Sequence, residues 1–159
     1  MAIQPFETAE AHSSPTVTQL SVFLDDRVGQ LLHLTQMFDG SNVHILGLSV
    51  TNLVDCAIVR MIFDDPDEAG VILTDHRFQV KETELIVVCV PEGPRGLINL
   101  WSAMLKAEIN VHYTYALMGL SHGRPAIAVH ADNLTMACDA FKHQRLVVLG
   151  QADLRGEMC

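Results

Sequence analysis

The chain shows its first regular pattern of apolar and polar positions in residues 19–24. Apolar side chains alternate there with their neighbours, and this period of two predicts a strand with one buried face. Residues 25–30 read as a turn. After them, apolar residues recur at helical spacing through 31–38, until the Asp-Gly-Ser-Asn stretch at 39–42 ends the predicted helix.

Two β-rich runs come next, at 43–52 and 56–63, and their short connection predicts a hairpin. The acidic stretch that begins at Asp64, with Pro66 in its first turn, has the composition of a helix start and predicts a helix that runs to about Arg77. Residues 78–84 and 85–90 follow as extended segments with scarcely a break between them.

This order of elements occurs twice. The second half predicts a helix after the turn at 91–96, a strand pair at 109–118 and 124–131, a short helix at about 133–142 and a strand at 146–149. A shift of 66 positions superposes the first helix and second strand of the two halves. A shift of 68, after two inserted residues in the second hairpin, superposes the rest.

Each half is therefore predicted to be a βαββαβ unit, the ferredoxin-like arrangement of the α+β class, with an antiparallel sheet and both helices on one face. We expect a disordered leader at 1–15, a first domain at 16–84, a second at 85–154 and a tail at 155–159. Units this small bury little apolar surface alone, so the two are expected to pair edge to edge or face to face.

Composition excludes several classes of partner. The chain has 159 residues, 19 Asp plus Glu against 10 Lys plus Arg, and a formal net charge of −9, so nucleic acid is not an expected partner. No basic residue precedes Arg27, and the longest apolar run has six residues against the roughly 20 of a membrane helix. We expect no membrane contact and a cytoplasmic location. The four cysteines form no CxxC pair.

Enzymatic and metal-binding interpretations find little support. Eight histidines are present, but none stands in an H-x-x-x-H spacing, and we predict no metal site. P-loop, G-x-S-x-G and G-x-G-x-x-G motifs are missing from the sequence, so neither catalysis nor a cofactor is predicted. Arg95 with Asn110 imitates an acylphosphatase site only faintly. Tyr113 and Tyr115 share a strand face without basic companions, which favours core or unit-to-unit packing over RNA binding.

The loops after the first strand of each half suggest a chemistry. Residues 26–31 and 92–97 form short turns that carry an acidic residue and glycine and lead straight into a helix. Glycine removes the side chain that would shield backbone N–H groups, and a helix start leaves further N–H donors free. Such a turn suits a small molecule that carries a carboxylate.

These loops carry a family resemblance. The second half has Gly-Pro-Arg-Gly-Leu at 93–97 and, about a dozen residues later, Ile-Asn-Val at 109–111. The first half has Arg-Val-Gly-Gln-Leu at 27–31, with valine in place of proline, and His44 where the second half has Asn110. In these motifs the chain resembles the ACT domain family of regulatory amino-acid-binding modules. The resemblance covers nearly the whole chain after residue 16 and is that of a stand-alone tandem ACT protein.

The resemblance implies a non-catalytic regulatory protein that binds an amino acid or a similar small metabolite between paired ACT units. Ligand binding would shift the packing of one unit against another. The resemblance also implies a homodimer. It assigns ligand binding to Asp26, Val28, Gly29, Gln30, Leu31, His44, Glu92, Arg95, Gly96, Leu97 and Asn110.

Within this set, backbone N–H groups around Gly29 and Gly96 would hold the carboxylate, and Asp26, Glu92 or Asn110 would hold the ammonium group. The alternative is an assembly module that binds no ligand. The sequence leaves open which amino acid binds and whether both units bind one.

Overall fold

The computed structural model describes residues 15–118 and 123–155. Nearly all of the predicted leader and tail therefore lies outside the described residues. The strands are β1 (Val17–Asp25), β2 (Ile45–Asn52), β3 (Cys56–Phe63), β4 (Val80–Cys89), β5 (Val111–Ala116), β6 (Ala126–Ala131) and β7 (Val148–Leu149). The helices are α1 (Gln30–Gln36), α2 (Pro66–Asp75), α3 (Gly96–Lys106), α4 (Leu134–His143) and α5 (Gln151–Arg155).

The predicted βαββαβ order is confirmed in both halves, and all strand pairs are antiparallel. Helix α5 was not predicted. No helix among the described residues is long and apolar enough to span a membrane.

Local chemistry explains why the second helix of each half starts and ends where it does. The Asp65 side chain caps α2 by accepting the N–H of Glu68 at 3.1 Å, and Asn133 caps α4 in the same way. Two residues after the last residue of each helix stands an arginine with positive φ, Arg77 at 64° and Arg145 at 59°. This left-handed turn closes the helix and directs the chain into the next strand.

Strand β4 belongs to both halves. From Val80 to Leu85 it pairs with β1, and from Ile86 to Cys89 it pairs with β6 on one side, while β7 pairs with Val87 and Val88. The strands follow the order β2-β3-β1-β4-β6-β5, with β7 beside β4. The extended segments predicted at 78–84 and 85–90 are thus one ten-residue strand.

The core consists of three apolar clusters. One apolar cluster lies between α1, α2 and the first sheet, and its equivalent lies between α3, α4 and the second sheet. A third cluster fills the space between the two sheets, where their helix-free faces meet. It contains Val17, Leu46, Ile62, Leu85, Val87, Ala126, Ala128 and Leu154. The two units therefore pack face to face as well as sharing a strand.

Contacts at the sheet edges complete this packing. Gly47 of β2 forms a bridge with Leu117, and the N–H of Met118 donates to the carbonyl of Leu46 at 2.6 Å. A Cβ atom at Gly47 would lie 3.3 Å from the ring of Tyr115, so glycine permits this close approach. The outer strands of the two sheets thus meet.

A buried polar group also joins the units. Gln19 of β1 is 1% exposed, its Nε2 donates to Tyr113 Oη at 2.9 Å, and Tyr115 Oη donates to its Oε1 at 2.8 Å. Burial raises the pKa of the Tyr115 phenol above its usual value, so this hydroxyl keeps its proton as a donor. Of the two predicted roles of the tyrosines, core packing or unit-to-unit packing, the structure shows the second.

Candidate ligand-binding site

The first predicted loop is open to solvent. Gly29 precedes α1 with a φ of 88°, a conformation that glycine adopts without strain, and Val28 beside it is fully exposed. The N–H of Gln30 donates to the carbonyl of Arg27 at 3.3 Å. Asp26 and Leu31 are exposed as well. The loop therefore presents Asp26, Val28, Gly29 and Leu31 to solvent, and Gln30 is half-buried.

The second predicted loop is tighter. Gly96, the first residue of α3, is buried, and a Cβ atom there would lie 2.3 Å from the carbonyl oxygen of Pro91. Its N–H donates to the carbonyl of Gly93 at 3.2 Å. Gly96 therefore shapes the turn, and its own N–H group is engaged within that turn. Arg95 and Leu97, on either side, are exposed.

His44 and Asn110 occupy equivalent positions before the second strand of each unit. The backbone N–H of His44 donates to Asp64 Oδ1 at 2.8 Å, and that of Asn110 donates to Asp132 Oδ1 at 3.3 Å. The His44 ring also lies against Asp64, with Nδ1 2.8 Å from Oδ2. The predicted superposition of these positions is confirmed, and each holds the following helix start to the second strand.

The structure separates the two loops. β1 runs antiparallel to β4, with Val22 opposite Val80, so the first loop lies beyond the beginning of β4. The second loop follows the end of the same strand. A strand rises ~3.3 Å per residue, so the ten residues of β4 place the loops about 30 Å apart. His44 and Asn110 lie at the opposite end of their sheets from the loop of their own unit.

A cavity of about 390 Å³ lies beside the second loop. The turn after β4 contributes Glu92, the segment just before β6 contributes Arg124, and the turn after α4 contributes Arg145. Val90, Leu146 and Val147 supply an apolar wall. Glu92, Arg124 and Arg145 thus surround one space, and their side chains carry the charges needed to hold a molecule with both a positive and a negative group.

Comparison with known families identifies the fold. The family model described as ACT domain pair matches residues 15–157. This chain belongs to the ACT domain pair family. The ACT domain pair is a regulatory, small-molecule-binding fold, and the tandem ferredoxin-like architecture expected from the sequence is confirmed.

Solved structures contain the same ACT pair architecture. Protein BT0572 from Bacteroides thetaiotaomicron superposes with a TM-score of 0.80 at 24% identity, covering 90% of this chain and 99% of that one. The regulatory subunit of aspartate kinase from Thermus thermophilus, in its ligand-free form, superposes with a TM-score of 0.57 at 12% identity, covering 83% and 93%. The corresponding subunit from Thermus flavus gives 0.54 at 10% identity, covering 84% and 94%. A search among curated proteins finds no match.

Of the residues predicted from the ACT resemblance, Glu92 alone lines this cavity. Sequence reasoning missed Arg124 and Arg145, which lie in a hairpin and in a helix-to-strand turn, away from the motif that drew attention to the second loop. The repeat offered one signal, since Arg77 is the equivalent of Arg145 after the 68-residue shift. Among the residues that the structure describes, no group of three or more metal-ligating side chains is found.

Proposed function

We propose that this protein is a non-catalytic regulatory protein that binds an amino acid, or a small metabolite with the same charged groups, in its second ACT unit. The observation that carries this proposal is the cavity formed by Glu92, Arg124 and Arg145. The cavity lies at the turn after β4, which is the first strand of the second unit, and the family motif predicts ligand binding at this turn.

The chemistry of the cavity fits an α-amino acid. Guanidinium groups bind carboxylates through paired N–H donors, and a carboxylate such as that of Glu92 accepts hydrogen bonds from an ammonium group. A volume of about 390 Å³ is within the range of small-molecule sites. Arg124 and Arg145 form no ion pair with another described residue, so both charges are available to a ligand.

The regulatory part of the proposal draws on the relatives. Two structures with the same fold are regulatory subunits of aspartate kinase. By analogy, ligand binding would change the affinity of this chain for another protein. The size of that change is set by how differently the ligand binds the partner-free chain and the partner-bound chain.

We also propose that the protein acts as a cytoplasmic homodimer. Because the two loops of one chain lie about 30 Å apart, they cannot contact one ligand together. A second chain would bring the turn of one ACT unit against the second strand of another, where the family motif places His44 and Asn110. Sedimentation equilibrium at several protein concentrations tests the dimer.

Thermal unfolding with each of the twenty amino acids tests the binding. A ligand that binds the folded state raises the melting temperature, and we expect this for one or a few amino acids. Arg145→Gln should abolish the rise. Arg77→Gln is the matched control, because Arg77 has the same backbone conformation in the first unit and does not line the cavity.

Two results would contradict the proposal. One is a melting temperature that no amino acid changes, and the other is an equal response in wild type and Arg145→Gln. A dimer without any ligand response would favour the assembly module instead.

A further inference from the structure

The facing surfaces of the two sheets are apolar over most of their contact and become polar towards one end. Ser21 of β1 stands there between Arg60 of β3 and Lys81 of β4, which are its partners in the strand register. Directly opposed residues project from the same face of a sheet. That face is the one opposite the second sheet, since Gln19, two residues before Ser21, reaches Tyr113 across the gap.

The second sheet contributes aromatic and basic groups to the same place. The Tyr113 ring stacks on the His130 ring, with centroids 4.8 Å apart and planes within 5°. Cζ of Arg60 lies 4.3 Å from the centroid of the Tyr113 ring, and Nδ1 of His112 lies 3.2 Å from Nδ1 of His130. Arg60, Lys81 and the two histidines therefore converge where the units meet.

None of these basic groups forms an ion pair with another described residue. The ion pairs found there join His44 to Asp64 and Arg155 to Asp67, and neither involves this cluster. Burial lowers the pKa of the His130 imidazole, and His112, Arg60 and Lys81 lower it further. In a chain of net charge −9, such a concentration of positive charge attracts anions.

The hydroxyl groups in this region have protons to donate. Gln19 Nε2 donates to Ser21 Oγ at 3.1 Å and to Tyr113 Oη at 2.9 Å, so both hydroxyls act as acceptors towards it. A hydroxyl also carries one donor, and neither has an acceptor for it among the described residues. Arg60 donates to Thr51 Oγ1 at 2.9 Å through one of its five N–H groups, which leaves others unused.

We propose that this polar end of the interface between the two sheets binds a small oxyanion, the carboxylate or phosphate group of a metabolite, between the two units. The hydroxyls of Ser21 and Tyr113 donate to it, and Arg60 and Lys81 neutralise its charge. The site is separate from the cavity at Glu92 and does not depend on the function proposed above. Because its groups come from both sheets, an anion bound there fastens one unit to the other.

An NMR titration of the His130 imidazole tests the site. The pKa of His130 is measured in sodium phosphate, in sodium malonate and in sodium chloride at matched ionic strength. A bound anion stabilises the imidazolium, so we expect a higher pKa in phosphate or malonate than in chloride. A rise in both salts indicates shared recognition of oxyanions, whereas a rise in one alone identifies a phosphate or a carboxylate as the group bound.

Variants test which side chains bind the anion. Lys81 is exposed, so Lys81→Gln should preserve the fold. It removes one of the two charges that neutralise the anion, and we expect the affinity for the effective anion to fall about tenfold. Ser21→Ala should weaken it several-fold. Lys142→Gln, which changes an exposed lysine on α4, is the matched control and should bind as the wild type does. The thermal midpoint of each variant verifies folding.

The inference is overturned by equal His130 pKa values in the three salts, or by an anion affinity that Lys81→Gln leaves unchanged. Arg145→Gln separates the two sites. It should lose the amino-acid response and keep the effect of the anion on His130.

Discussion

The two ACT units share the residues that close their helices and strands. Asp64 and Asp132 each accept the backbone N–H of the residue before a second strand, and Arg77 and Arg145 each follow a helix with positive φ. These equivalences obey the shifts of 66 and 68 positions found in the sequence. The two units therefore have equivalent residues at these helix ends and strand starts.

The units differ where a ligand would bind. Glu92 and Arg145 of the cavity correspond to Asp26 and Arg77 in the first unit, but Arg124 corresponds to Cys56. The first unit thus lacks the second guanidinium group. The comparison indicates that the shared framework permits a binding site and that a few side chains at the strand and helix ends decide whether a unit has one.

Gly96→Ala should give the largest difference between the units. Its Cβ would lie 2.3 Å from the carbonyl oxygen of Pro91, so we expect a loss of about 3 kcal/mol in the free energy of unfolding. Gln30 is the equivalent residue of the first unit, and Gln30→Ala should cost less than about 0.5 kcal/mol. Urea unfolding measures both. Equal losses would mean that the turn before α3 relaxes freely.

Asp64→Ala and Asp132→Ala compare the two strand starts. Asp64 is buried and accepts the N–H groups of His44 and Asp65 and faces the His44 ring, whereas Asp132 is exposed and accepts one long bond. We expect losses of about 2 kcal/mol and about 0.5 kcal/mol, respectively, in the free energy of unfolding. A larger loss for Asp132→Ala would contradict the importance of burial here.

His130 makes the second unit sensitive to pH at a position where the first unit has Ile62. The folded state lowers the pKa of His130, so protonation favours the unfolded chain. The stability that neutral His130 contributes is complete above the unfolded-state pKa of about 6.5. It is lost as the pH falls towards the lower pKa that His130 has in the folded state. His130→Ile should flatten the pH dependence of the thermal midpoint below about pH 6.5. His143→Gln, an exposed control, should leave it as in wild type; an unchanged curve in His130→Ile would refute the prediction.

Cys56→Arg should have the smallest effect. It supplies the first unit with the guanidinium group that Arg124 supplies to the second. In the Arg145→Gln background, which disables the cavity, we expect a weak return of the amino-acid response in thermal unfolding. Cys56→Gln in the same background is the control for the change in size. If arginine and glutamine behave alike, other features of the first loop decide its affinity.

Much of the fold could be predicted because it is local. Alternation in 19–24, helical spacing in 31–38 and the capping residues before α2 and α4 are each visible within a few positions. α5 was missed because five residues are too few to show a period. The continuity of β4 was also missed, since hydrogen bonding changes partners between Leu85 and Ile86 without any change in sequence pattern.

The sites were less predictable, for a physical reason. The family motif pointed to the turn that contains Glu92, but Arg124 and Arg145 come from distant turns and carry no local signature. Gln19 and Tyr113, which bond across the sheets, are 94 residues apart. Such groups meet only after both sheets have formed and packed, so patterns within a short segment cannot reveal them.

The shared strand β4 also governs how the molecule comes apart. Amide hydrogens near Leu85 and Ile86 are held by strands of both units. Neither unit can open fully without exposing part of the backbone on which the other is built, so the two halves form one cooperative unfolding unit in spite of their repeated design. Proteolysis between 84 and 85 would accordingly require disruption of the centre of the fold, and neither half would be released intact.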